Sequence, residues 1–95
     1  MSGEPAYRLE LGLDQRSFVL GRQPEEQREI LQHLQKIRVQ PFPAPGNGIA
    51  RIRLGSLVTQ PTFFSITDRF AIYHTVEGDL IAVFEIVERT PIRIE

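Results

Sequence analysis

Residues 41–48 read PFPAPGNG, with three prolines and two glycines in one short stretch. Proline lacks the N–H that helix interiors and central strands need, and glycine loses the most backbone entropy in either. No regular element can cross such a stretch. It therefore splits the chain into two parts, each of which must find its own secondary structure and then share a core. At 95 residues there is material for one such core, burying roughly 65% of the surface that the unfolded chain exposes. The expectation is one domain over residues 1–95.

The first part reads as a strand and two helices. Tyr7, Leu9, Leu11 and Leu13 alternate with Arg8 and Glu10, the period of two that marks a half-buried strand. Asp14 is placed to cap a short helix over 15–23, with Phe18, Val19 and Leu20 inward. Pro24 fits the first position of a second helix, where its missing N–H is harmless, and Glu25 and Glu26 suit the positive end of that helix. Ile30, Leu31, Leu34 and Ile37 then form one apolar stripe.

The second part reads as strands. Ile49 to Leu54 alternates, Phe63 to Ile66 is short and apolar, and Thr67-Asp68 is a turn. Arg69–Val76 and Leu80–Glu88 are rich in β-branched and aromatic residues, joined by Glu77-Gly78-Asp79 as a tight hairpin. The fold class that follows is α+β: strand, helix, helix, then three to four antiparallel strands. They form a single sheet with both helices on one face, and the first strand joins that sheet to bury its apolar side. The register between Gly55 and Asp68 stays open.

Charge is laid out unevenly. Between residues 36 and 76, Lys36, Arg38, Arg51, Arg53 and Arg69 stand against Asp68 alone, while both flanks are acidic, and the whole chain carries −1. Ten of the eleven basic residues are Arg, whose planar fork suits phosphate and carboxylate. Cysteine is absent, which excludes disulfides, thiolate metal sites and a Cys nucleophile and fits a reducing cytoplasm. No apolar run is long enough to span a membrane, and the first residues carry no secretory signal pattern.

The chemical inventory is short. His33 and His74 are the only histidines, and neither has the spacing of a metal site, so no metal and no cofactor is expected. Phosphate-loop, dinucleotide and nucleophile-elbow patterns are missing as well. What remains is the β half. If Arg51, Arg53 and Arg89 converge near His74, they form a cationic groove in which guanidinium groups hold a phosphodiester and the imidazole exchanges protons. The plain alternative is that these are solvated strand residues, with His74 partly buried and hydrogen-bonded.

YRLEL at 7–11, PEEQREILQHLQKI at 24–37, the proline-rich loop, IARIRL at 49–54 and RFAIYHTVEGDLIAVFEIVER at 69–89 together resemble the RelE/ParE superfamily of small bacterial toxins. The resemblance covers roughly residues 7–90. It implies the same strand–helix–helix–sheet fold and a cognate antitoxin protein whose extended or helical segment wraps the toxin. RelE-like members cut mRNA in the ribosome and ParE-like members bind DNA gyrase, so the implied functions are a ribosome-dependent mRNA endonuclease or a non-catalytic interaction module. Carried over by position, Arg51 and Arg53 match basic residues of the second strand, and Arg89 the basic residue after the last. Phe70 stands where the nucleases carry an Arg, with Arg69 one place off, and the C-terminal Tyr or His is missing. A homodimer through an uncovered sheet face is compatible with either function.

Overall fold

The computed structural model describes residues 7–52 and 61–89. The order is β1 (Arg8–Leu11), α1 (Leu13–Leu20), α2 (Pro24–Val39), β2 (Ala50–Ile52), β3 (Thr62–Ile66), β4 (Phe70–Glu77) and β5 (Leu80–Glu88). The strands form one sheet in the order β1-β5-β4-β3-β2. β1 runs parallel to β5, from Arg8 opposite Leu80 to Leu11 opposite Val83. A parallel pair needs a long connection, and the helices with the intervening strands supply it. The other pairings are antiparallel. This is the α+β architecture that the sequence leads one to expect.

Both helices cover one face. Phe63, Phe70, Ile72, Val76, Ile81, Val83 and Ile86 point toward Val19 of α1 and Ile30, Leu34 and Ile37 of α2. Burying each of these side chains contributes about 1.5–3 kcal/mol, so this layer supplies most of the fold's driving force. Phe18 meets Phe70 edge-on at 5.8 Å, which seats α1 on the sheet.

Several local expectations shift. α1 starts at Leu13, with Gly12 extended at the N-cap position, so Asp14 lies in the first turn instead of capping it. There its carboxylate still faces the positive end of the helix. The inward stripe of α2 is Ile30, Leu34 and Ile37, while Leu31 is 50% exposed. β2 covers only residues 50–52, and Leu54 and the stretch from Gly55 to Gln60 lie outside the described residues. The β4–β5 ladder slips between Tyr73, opposite Glu85, and His74, opposite Val83, which leaves Phe84 as the extra residue of a bulge.

Two loops have identifiable fasteners. Gly78 sits at φ 62° in the two-residue turn between Glu77 and Leu80, a conformation that only glycine adopts without strain. In the proline-rich loop, Asn47 accepts from the backbone N–H groups of Ala44 and Ile49 and donates to the Phe42 carbonyl, so one amide organises the turn.

Candidate functional site

Arg51 is on the edge strand β2, directly opposite Phe63, and is exposed. That register places it on the face that carries Phe63 and His74, while Ala50 and Ile52 take the other face. Arg53 lies outside the described residues. Arg89 follows β5; its backbone N–H donates to the Arg69 carbonyl at 2.8 Å, and its guanidinium Nη1 donates to the Thr67 carbonyl at 2.5 Å. Three strand spacings across and about five residues along separate Arg51 from Arg89, which amounts to roughly 20 Å. The structure does not bring these two cations together.

His74 is a core residue. Its ring has 0% exposure and stacks on Phe63 at 5.4 Å. Nε2–H donates to the Pro41 carbonyl at 2.9 Å, which fixes the tautomer and leaves Nδ1 without a partner among the described residues. Burial pushes its pKa below the ordinary imidazole value, partly offset by the Pro41 hydrogen bond. The ring thus has the surroundings of the plain alternative, a buried and hydrogen-bonded strand residue. β4 alternates as the sequence implies, but the face with Phe70, Ile72 and His74 is the one that the helices cover.

The opposite sheet face is aromatic. Phe64 stacks on Tyr73 at 5.6 Å, and Tyr73 meets the bulged Phe84 at 6.2 Å. Ile66, Phe84 and Val87 are exposed large apolar residues on the chain. Glu85, paired with Tyr73, adds a carboxylate to that face. Arg8, at its β1 edge, lies 3.6 Å from Asp79. Sequence reasoning had no handle on this ladder, because it depends on the bulge and on which face the helices choose.

A polar network closes the far end of the sheet. The Arg22 guanidinium lies 5.2 Å from the Phe18 ring and 5.4 Å from the Phe70 ring, and its nitrogens reach Glu26 at 3.0 Å and Glu88 at 3.3 Å. The hydrogen bond from Arg22 and the charge of its guanidinium hold the Glu26 carboxyl below its usual pKa. Glu29 accepts from the Thr67 hydroxyl and from the Arg69 backbone N–H, 2.9 Å away. It thereby braces the turn whose Thr67 carbonyl receives Arg89. His33 Nε2 and Ser65 Oγ are 2.7 Å apart, a second tie between α2 and the sheet.

Among the described residues no group of three or more His, Cys, Asp or Glu gathers as a metal site, and no helix is long and apolar enough to cross a membrane. A cleft of about 290 Å³ opens between β1, α1 and α2, lined by Leu9, Leu11, Leu31 and Leu34 with Arg16 and Arg38 at its sides. It joins an apolar floor to a cationic rim.

No protein-family model and no curated protein matches the chain. Among solved structures, the chain is similar to one in the archaeal RelE–RelB complex from Pyrococcus horikoshii OT3. The two share a TM-score of 0.73 at 12% identity, over 88% of this chain and 96% of the other. At that identity the likeness is one of fold, and the fold of this chain is RelE-like.

Proposed function

We propose that the chain is the toxin component of a toxin–antitoxin pair and that it works by binding protein. The likeness to a chain of the RelE–RelB complex over nearly the whole length carries this reading. A cognate antitoxin is the partner, held on the surfaces that the helices and the open sheet face leave uncovered. The buried His74 and the separation of Arg51 from Arg89 favour binding over phosphodiester cleavage. A target such as DNA gyrase fits this mode of action.

A second reading keeps ribosome-dependent mRNA cleavage. Exposed Arg51 and Arg89 form no ion pair among the described residues, and although Arg89 gives Nη1 to the Thr67 carbonyl, its other guanidinium donors and those of Arg51 suit phosphates, with Arg53 as a third cation in sequence. Induced expression with growth monitoring tests the shared part. Growth arrest relieved by the product of an adjoining small reading frame supports a toxin–antitoxin pair; unimpaired growth overturns it. Translation with ribosomes separates the readings. Cleaved mRNA that disappears in Arg51→Ala with Arg53→Ala establishes the nuclease, and intact mRNA removes it.

A further inference from the structure

The described sheet ends in two edge strands, β1 and β2. Arg8 and Gly12 donate their backbone N–H groups inward, to the carbonyls of Asp79 and Val83 at 2.7 and 3.5 Å. Backbone direction alternates along a strand, so the N–H and C=O groups of Tyr7, Leu9 and Leu11 turn outward. Among the described residues one donor meets them, Nε of Arg38, which reaches the Tyr7 carbonyl. Such an edge pairs with another strand unless something blunts it, and residues 7–11 hold neither a proline nor a bulge. What guards the edge is charge, and the pattern of that charge is complementary to itself.

Arg8 and Glu10 are exposed on one side of β1, while Leu9 and Leu11 are half-buried and pack on the core from the other. A second β1 laid antiparallel must keep leucines on the leucine side, so its registers differ in steps that preserve the faces. Centred on Arg8, the pairing sets Arg8 against itself; centred on Glu10, it sets Glu10 against itself. Centred on Leu9, it brings Arg8 opposite Glu10 on both sides of the centre, with Tyr7 opposite Leu11. In that register the two Leu9 residues exchange their outward N–H and C=O groups, and Tyr7 and Leu11 do the same. Arg8 and Glu10 then face each other in the narrower, non-hydrogen-bonded pair, with Cα atoms about 4.5 Å apart. The Arg8–Asp79 contact, 3.6 Å between exposed side chains, is weak enough to yield. β2 offers no such match, since Arg51 has no acid among residues 49–52 to face. We infer that two copies of this chain pair through their β1 strands, antiparallel about Leu9, joining two five-stranded sheets across a two-fold axis. The contact is the edge of the sheet and leaves its open face uncovered, and the inference stands apart from the toxin–antitoxin reading.

Sedimentation equilibrium of the full chain should give twice the chain mass at high protein concentration, falling to the single-chain mass on dilution. Arg8→Glu and Glu10→Arg should each weaken the dimer about tenfold, because each sets like charges opposite one another on both sides of the centre. Mixed at a concentration where each alone is a single chain, the two variants should form a dimer, since the acids of one edge then meet the cations of the other. Phe84→Ser, on the open sheet face, should leave the association unchanged. All three side chains are exposed, and circular dichroism checks that the fold survives each change. A single-chain mass at every concentration, a dimer indifferent to both charge reversals, a mixture that stays at the single-chain mass, or a dimer lost in Phe84→Ser overturns the inference. Growth arrest beside any of these results leaves the toxin reading standing, whereas a β1-paired dimer without toxicity removes that reading alone.

Discussion

The His74 ring donates from Nε2 to the Pro41 carbonyl across 2.9 Å, tying the middle of β4 to the loop that leaves α2. The bond spans the proline-rich break between the helical and β parts of the chain. His74→Ala should therefore remove a buried ring and leave the Pro41 carbonyl unpaired, costing about 2–4 kcal/mol. Chemical denaturation checks this, and a loss under about 1 kcal/mol would contradict the buried geometry.

The same burial fixes a pH dependence. The folded-state pKa of His74 lies below its ordinary value near 6.5, and His33 shifts in the same direction, burial being the leading cause for each. The unfolded state then takes up protons first, so this stabilisation is whole above pH 6.5 and is lost as pH falls through the lowered folded values. Melting temperature should decline as pH drops from about 7 toward 5. His74→Phe should flatten that decline, leaving the part due to His33. Glu26 and Glu29, whose carboxyls are held below their usual 4.5, add a separate loss at lower pH.

Glu29→Gln tests the brace under Arg89. The amide oxygen can stand where Oε2 accepts from both the Thr67 hydroxyl and the Arg69 N–H, but the charge that faces Arg69 at 3.7 Å is lost. Loss of about 1 kcal/mol is expected by denaturation, with Glu29→Ala costing more because two donors lose their acceptor. Arg22→Ala should lower the melting temperature through lost packing on Phe18 and Phe70 as well as lost charge.

Gly78→Ala places a side chain at φ 62° in the β4–β5 turn. The turn should be destabilised by about 1 kcal/mol, since alanine avoids that region. An unchanged denaturation midpoint would mean that the turn relaxes to another geometry.

These tests bear on what the sequence makes legible. The α2 helix and the β4–β5 hairpin are readable because each has a period and a punctuation mark: Pro24 opens the one, Gly78 folds the other. The side of β4 that is buried is harder, since alternation groups Phe70, Ile72 and His74 without saying which face the helices cover. Arg51 shows the limit most clearly. In a strand one residue of register exchanges the faces, and the pairing of Arg51 with Phe63 depends on β3, reached through a segment with no clear period. The bulge at Phe84 and the exposure of Leu31 are likewise tertiary outcomes; Leu31 belongs to an apolar stripe by spacing yet ends outside the core.

The proposed action of this RelE-like chain is to bind a protein instead of cutting RNA. Mapping mRNA 5′ ends during induced expression tests it most directly. Growth arrest, relieved by the adjoining gene product, with no new cleavage ends in translated messages is the expected result. New ends inside ribosome-bound codons, abolished by Arg51→Ala with Arg89→Ala, would contradict it.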